Sequence, residues 1–398
     1  MSRLLAGSAG PDLDLHVERH GPVPLLGAVR PGRLGRLAGQ VAEAGLRGRG
    51  GGWFPTARKL AAVAGHARGR PPVVVVNAME SEPLSAKDAH LLAVAPHLVL
   101  DGASLAAETI GAGRVVLAVR ADGRALNLLA AERFRRGADP VRIEVHQGPD
   151  RFLAGQESAL AGWIDGGPAL PTTRRPYERG VDGRATFVGN AETLAHLALI
   201  ARRGPAWFRS AGTTEAPGTL LVSVSGPGVR VREVPVGTPV GEVAEPGAAV
   251  LLGGYGGAWL PGDRAGALPL APEPLRAAGA TLGAGIVSVL PYGTCGLAHT
   301  ASIVRWLASQ GARQCGPCLF GLPALARDLS GLAAGTAGGT VVDRLRGRAA
   351  VIPGRGACAH PDGVSRLVTS ALQVFADEVE AHLGSRCRAA TETFQKTG

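Results

Sequence analysis

The stretch Gly45-Leu46-Arg47-Gly48-Arg49-Gly50-Gly51-Gly52-Trp53-Phe54-Pro55-Thr56-Ala57-Arg58-Lys59 decides how this chain is read. Five glycines in the eight residues 45–52 free the backbone for positive φ and for close approach to a ligand. Pro55 then suits the first turn of a helix, where its missing N–H costs nothing. The apolar run Leu60-Ala61-Ala62-Val63 continues that helix. A glycine loop entering a helix N-terminus aims several unpaired N–H groups at one point, which favours a phosphate. Lys59 falls about one turn inside the helix, within reach of the same anion. The glycines by themselves are equally compatible with a surface loop. Two known phosphate loops are excluded. The dinucleotide fingerprint needs a preceding strand and a third glycine, whereas residues 34–44 read as a helix and the third position counted from Gly48 is Trp53. A Walker A loop needs Gly-Lys-Ser/Thr, which is absent.

Outward from the loop, strand and helix patterns alternate. Pro71-Pro72-Val73-Val74-Val75-Val76 reads as a strand apolar on both faces. It runs into the polar turn Asn77-Ala78-Met79-Glu80-Ser81-Glu82-Pro83, at the carboxyl end where open α/β sheets place ligands. Residues 87–110 read as helical, 114–120 as strand, 124–135 as helix and 141–146 as strand. Phe152 to Leu160 opens another helix, 168–183 is a loop rich in proline and arginine, and 188–194 begins the next helix. From Pro217 to Leu252, short β signals separated by glycine and proline predict a small β-rich domain. From Leu275 the pattern is helical, carrying Cys315-Gly316-Pro317-Cys318 and Gly356-Ala357-Cys358-Ala359-His360, with a last helix over 364–382.

At 398 residues the chain has room for two or three domains, each with its own core. The formal charge is +10, yet the lysines are only Lys59, Lys87 and Lys396, and arginine is spread without a basic block. Aromatic residues make up 4%. A dedicated nucleic-acid surface is set aside on both counts, because such surfaces cluster charge and stack bases on aromatics. The N-terminal residues show no signal-peptide apolar core, and no run of about 18 apolar residues predicts a membrane span. Five cysteines, an odd number in a large chain, make no disulfide scaffold and suit a reducing cytoplasm, the expected location. Five cysteines in a chain this long give an accidental C-x-x-C roughly one time in twenty. Thiolates so spaced hold one corner of an iron–sulfur cluster or bind zinc, with a buried structural pair as the alternative. Cys387 is near the C-terminus and far from the rest of the set in sequence.

Together these motifs resemble the flavin-carrying, NADH-oxidising subunit of respiratory complex I and of related soluble hydrogenases and formate dehydrogenases. The resemblance covers about residues 40–385. It rests on Gly-Leu-Arg-Gly-Arg-Gly-Gly-x-x-Phe-Pro-Thr at 45–56, Asn-Ala-x-Glu-Ser-Glu-Pro at 77–83, Gly-x-Glu at 155–157 and Asn-x-Glu-Thr-Leu at 190–194. Residues 222–228 and the following Pro-Val-Gly-Thr-Pro are similar to the family's β-grasp insert. The implied fold is α/β, in three domains: an FMN- and NADH-binding α/β domain over 1–215, a soluble-ligand-binding β-grasp domain over 216–270, and a C-terminal helical bundle with a cluster-binding loop over 271–398.

The resemblance also implies site roles. Gly48, Arg49, Gly50 and Gly51 with Lys59 would hold the FMN phosphate and ribityl chain. Asn77, Asn190 and Thr193 would hydrogen-bond the flavin, with Glu80 and Ser81 in the adjoining turn and Gln156 where a flavin-contacting glutamate is usual. Phe54 would stack on the NADH adenine, and Glu82, Glu157, Arg174 and Tyr177 would line the NADH pocket. Cys315, Cys318 and Cys358 would ligate a [4Fe–4S] cluster. Hydride would pass from NAD(P)H to FMN, and single electrons would leave through the cluster to an iron–sulfur or ferredoxin-like partner, in reach of a membrane-bound reductase through partner subunits. Some positions depart from the family pattern: Trp53 replaces a glycine, Met79 an aspartate, Phe152 a tyrosine, Gly189 an asparagine, and Ala312 the first cluster cysteine. A second reading follows from those departures, a cofactor-poor paralogue that serves in binding or assembly.

Overall fold

The computed structural model describes residues 3–6, 9–120, 122–226, 228–387 and 389. The chain divides into two compact units, Met1–Ser223 with Val231–Thr238 and Val224–Arg230 with Pro239–Gly398. Three domains were expected.

In the first unit, β1 (Val73–Ala78), β2 (Arg114–Val119), β3 (Ile143–Gln147) and β4 (Thr186–Asn190) form a parallel sheet in the order β3-β2-β1-β4. Its helices are α1 (Leu13–His20), α2 (Leu37–Ala44), α3 (Thr56–His66), α4 (Lys87–Val94), α5 (Pro96–Ile110), α6 (Arg124–Arg135), α7 (Glu157–Ile164), the short α8 (Pro176–Arg179) and α9 (Ala191–Arg209). The valine run of β1 is explained by cover on both faces. Val74 and Val76 join the core under α5 and α9 with Leu98 and Leu194, while Val73 and Val75 pack with Leu160, Ala161 and Val188. Every residue of α5 is buried. α5 and α9 approach so closely at Gly102 that a Cβ there would lie 1.9 Å from the Leu194 carbonyl oxygen. Any side chain would push the helices apart.

Two readings of this unit are corrected. The continuous helix over 87–110 is two helices bent by 98°; Pro96 drives Ala95 out of the helical region, to φ −142°. Residues 188–190 do not begin a helix. They end β4, and α9 starts at Ala191 with the Asn190 side chain capping the Glu192 N–H. So short a strand carries no period of its own, and its pairing with β1 decides its state. Among the described residues no single helix is long and apolar enough to cross a membrane.

Strands β5 (Thr219–Ser225) and β6 (Val229–Pro235) run across the division of the chain. In the second unit β7 (Ala249–Leu252) pairs antiparallel with β8 (Ala258–Pro261) on one side and β9 (Ile286–Leu290) on the other. Short helices α10 (Val240–Val243), α11 (Gly262–Ala265) and α12 (Pro272–Ala277) connect them. Then α13 (Gly296–Ser309), α14 (Leu322–Ala333), α15 (Val341–Val351), α16 (His360–Val374) and α17 (Ala376–Leu383) pack as a bundle. Strand β9 falls inside the region read as helical from Leu275, so the β structure extends to Leu290. The expected last helix breaks at Phe375, where φ −104° and ψ 35° separate α16 from α17.

Candidate functional site

From β1 the chain moves outward to β2 and β3, then returns to the other side of β1 as β4. The crevice at the carboxyl ends of β1 and β4 is therefore the switch point where sheets of this kind bind ligands. Asn77 and Asn190 are paired there in register. The glycine loop reaches the same crevice. Its base is closed by a bridge between Arg47 and Pro55, by Gly48 N–H donating to the Phe54 carbonyl at 2.9 Å, and by Thr56 N–H donating to Leu46 at 2.9 Å. A Cβ on Gly50 would lie 3.2 Å from the Asn190 Cβ. Gly51 has φ +107°, which other residues rarely adopt. The backbone at Gly51 thus favours glycine, and a side chain at Gly50 would need Asn190 to yield by a few tenths of an ångström for the loop to lie against the strand end.

Arg49 supports the loop from beneath. Its N–H donates to Thr193 Oγ1 at 2.8 Å, and its buried guanidinium donates to the carbonyls of Thr219, Arg47 and Pro217 at 3.1–3.2 Å. Burial lowers its pKa to about 10, against the opposing pull of Glu192. Glu192 in turn accepts from Leu221 N–H at 2.9 Å and pairs with Lys87 at 3.0 Å. Burial would raise Glu192, but Lys87, His196 and Arg49 bring it down to about 2. Lys87 also donates to Asp88 at 2.7 Å and to Asn190 Oδ1 at 2.9 Å. The Asn190 amide donates to Asp88 at 2.6 Å and to the Asn77 carbonyl at 3.2 Å, so both of its ends are engaged. Burial pushes Asp88 up to about 6 while Lys87 opposes the rise. Sequence reasoning missed Lys87, Asp88 and Glu192 as a unit. One signal was available: Lys87 is one of three lysines in the chain and adjoins an aspartate at the start of a helix.

Lys59 stands at the mouth of the crevice. Its ammonium donates to the Val188 carbonyl at 2.6 Å and pairs with Glu157. The two side chains are 21% and 44% exposed, so solvent reaches this pair and an incoming anion could exchange for the carboxylate. Such a half-exposed pair is held by well under the energy of a buried one.

The remaining expected residues divide. Asn77 Nδ2 donates to the Gly155 carbonyl at 2.8 Å, and Ser81 Oγ to Phe152 at 2.7 Å, tying the turn after β1 to the segment before α7. Gln156 caps α7, its Oε1 accepting from the N–H groups of Ser158 and Ala159 at 2.8 and 2.9 Å. Glu80 is turned into a cap for α4, accepting from Ser85 Oγ, Asp88 N–H and Ala89 N–H at 2.6–3.0 Å. Met79 is buried, its Sδ and Cε placed where a Cβ on Gly148 would meet them at 2.5–2.6 Å. Phe54 is 50% exposed, with the Arg58 guanidinium 5.5 Å from its centroid. Glu82 is half-buried and Arg174 exposed. Tyr177 sets its ring edge-on to His66, 5.5 Å away. His66 ends α3, about 15 Å along the axis from Thr56, so Tyr177 lies at the end of that helix away from the glycine loop.

In the second unit Cys315 and Cys318 flank the start of a single π turn, Pro317–Gly321. Burial alone would raise the Cys315 thiol. N–H donors from Cys318 and Ala357, with the Cys318 thiol, outweigh it and hold Cys315 below its ordinary value. The Ala357 contact brings the segment of Cys358 against the pair. Burial pushes Cys318 up to about 11, Cys315 adding to the rise, and burial also raises Cys358. Three sulfurs thus converge, which fits three corners of an iron–sulfur cluster. Ala312, half-buried, stands at the first of the family's four cysteine positions and offers no ligand. His360 does not replace it through its Nε2, which is 3.0 Å from the Leu307 carbonyl.

A parallel α/β unit with a glycine loop and lysine at its switch point, in one chain with a helical unit that gathers three cysteines, defines a nucleotide-binding redox protein. Residues 41–199 match the family described as the Nuo51 FMN-binding domain, and residues 298–382 match the NADH-ubiquinone oxidoreductase-F iron-sulfur binding region. The F subunit of NADH-quinone oxidoreductase in Streptomyces coelicolor is 30% identical over 376 residues, covering 88% of this chain and 83% of the relative. Its namesake in Mycobacterium tuberculosis is 30% identical over 376 residues, with 87% and 84% covered. An NAD+-reducing [NiFe]-hydrogenase, solved in its air-oxidized state, superposes with a TM-score of 0.81 at 32% identity over 87% of this chain. The present chain spans 62% of that hydrogenase chain. The chain belongs to the family of the NADH-quinone oxidoreductase flavoprotein, the F subunit of that complex.

Proposed function

We propose that this chain is the flavoprotein subunit of a cytoplasmic NADH-oxidising assembly, binding NADH and FMN in the first unit and a [4Fe–4S] cluster in the second. The observation that carries the reading is the placement of Lys59 beside the glycine loop at the β1/β4 switch point. FMN, when bound, supplies a carrier that takes two electrons from nicotinamide and releases them singly. Lys59 exchanges Glu157 for the phosphate, and the N–H groups of Gly50 and Gly51 share its charge, while those of Gly48 and Arg49 hold the loop to Phe54 and Thr193. Arg49 and Thr193 act through the loop, holding its height above Asn190. Asn77 and Asn190 keep the strand ends in register beneath the ligand, with Glu80, Ser81 and Gln156 fixing the turns around it. Phe54 offers an exposed aromatic face to the adenine, and Glu82, Glu157 and Arg174 line the approach, with Tyr177 at its far edge. Cys315, Cys318 and Cys358 hold the cluster, and a ferredoxin-like partner protein receives the electrons.

Anaerobic purification with flavin and iron quantification tests this. Stoichiometric FMN, and reduction of ferricyanide by NADH that is lost in Lys59→Ala, are expected. A second reading, a cofactor-poor paralogue used in assembly, is favoured specifically by Trp53, Met79, Gln156 and Ala312 at cofactor positions. Fully folded, colourless protein that gains no flavin on addition of FMN would establish it instead.

A further inference from the structure

We propose that Cys295, His382 and Cys387 form a second metal site, for a single zinc-class divalent cation, separate from the cluster cysteines. Their ligand atoms all lie within 4.8 Å of one another, and Cys295 Sγ is 3.4 Å from His382 Nε2. A tetrahedral zinc with Zn–S of about 2.3 Å and Zn–N of about 2.0 Å sets its ligand atoms roughly 3.5–3.8 Å apart. The trio therefore closes on one ion with small side-chain adjustments. A cubane cluster spaces its thiolates more widely, because each binds a different iron. Two soft sulfurs with one imidazole select zinc over magnesium or calcium, which take oxygen ligands.

Three features of the chain point to the same place. Cys295 and Cys387 lie outside residues 298–382, the part matched to the family's iron–sulfur region. Cys387 is remote from the core along the sequence, yet the turn after α17 brings it back. Ser385 N–H donates to His382 at 3.0 Å and Arg386 N–H to Ala381 at 2.9 Å, with Ser385 at φ +56°. A left-handed backbone at a non-glycine residue is unfavourable, and the reversal it makes is the one that delivers Cys387 to its two partners. Finally, the Cys295 thiol donates to Glu378 Oε2 at 3.1 Å, a carboxylate fixed by Leu297 N–H at 3.0 Å. On metal binding the protons of Cys295 and Cys387 pass to solvent. The two thiolates and Glu378 then face the double positive charge, and neutral His382 completes three ligands, leaving the fourth corner to water. Such an ion would clamp the end of α17 to the start of α13.

The test uses the full chain, stripped with a chelator under anaerobic conditions and titrated with Zn2+ against a chromophoric competitor. One equivalent of zinc is expected. Cys295→Ser and Cys387→Ser should each weaken zinc binding by roughly tenfold or more, the least seen when even a supporting residue of a metal site is removed, with iron content unchanged. Cys315→Ser should lower iron and leave zinc in place. Zinc-edge X-ray absorption of the unmodified protein should show two sulfurs at about 2.3 Å and one nitrogen at about 2.0 Å, a readout that needs no variant. Equal zinc affinity in Cys387→Ser and the unmodified protein overturns the proposal. Absence of zinc binding overturns it too, as does joint loss of iron and zinc in Cys295→Ser, which would assign the trio to the cluster.

Discussion

The guanidinium of Arg49 lies 4.4 Å from the centroid of the Trp53 indole, and Trp53 holds that position with φ at +50°. A side chain in the left-handed region costs about 1–2 kcal/mol, and a cation–π contact returns about 1 kcal/mol. The loop thus exchanges a relaxed glycine for an indole that braces the arginine beneath it.

Trp53→Gly should therefore stay within about 1 kcal/mol of the parent in urea unfolding, since it loses the stack and relieves the backbone. Trp53→Ala loses the stack and keeps the strain, and should be the least stable of the three. That order reverses the usual penalty for glycine. An alanine variant as stable as the glycine variant would show that backbone strain is not the governing effect. Flavin content of the same preparations should rise in Trp53→Gly, where the loop regains a close approach.

Arg49→Lys should destabilise the first unit by about 3 kcal/mol. The lysine ammonium cannot fork to three carbonyls, and Glu192 keeps one buried partner fewer. Retained flavin should fall with it. Unchanged unfolding midpoints and flavin content would mean that Arg49 is not the support of the loop.

Acid stability should reflect His97. Its Nε2 meets the Pro11 carbonyl at 3.0 Å and its Nδ1 meets Arg133 NH1 at 3.1 Å, an arrangement open only to the neutral ring. Burial, with Arg133 and His16 adding to it against the bond to Pro11, lowers its pKa from 6.5 to about 4. The unfolded chain then binds the proton more readily. The contribution is whole above pH 6.5 and is lost as pH falls toward 4, on the order of 3 kcal/mol. His97→Gln should flatten the thermal midpoint across that window; an equally steep decline would assign it to other groups.

Gln156→Glu places a carboxylate at the N-cap of α7, where an anion is favoured, so stability should hold or rise by about 0.5 kcal/mol. The added negative charge disfavours reduced flavin, so its potential should fall. A redox titration showing a rise would contradict the electrostatic account.

Ala312→Cys should complete the thiolate set of Cys315, Cys318 and Cys358. Iron content and resistance of the cluster to air should both increase, read by iron analysis and electron paramagnetic resonance after reduction. Four irons per chain before the substitution, with no change after it, would reveal a fourth ligand already in place.

Much of this protein was legible in consecutive residues. The glycine loop leading to a helix with Lys59 in its first turn, the buried valine strand β1 and the helix over 124–135 follow from local rules of backbone freedom, periodicity and burial. The motif cysteines and the resemblance to the flavoprotein family were likewise read directly. Tertiary structure decided the rest. β4 and β9 are strands because β1 and β7 stand beside them, and five-residue segments carry too little period to announce it. Arg49 turns beneath the loop, and Glu80 into a helix cap, because buried polar groups take whichever partners the fold brings within hydrogen-bond distance. Lys87, Asp88, Asn190 and Glu192 become one network, and Cys295 meets Cys387 across 92 positions of chain (387 − 295), for a shared physical reason. Charge pairing and coordination act over a few ångströms in space, and separation along the sequence does not determine that distance.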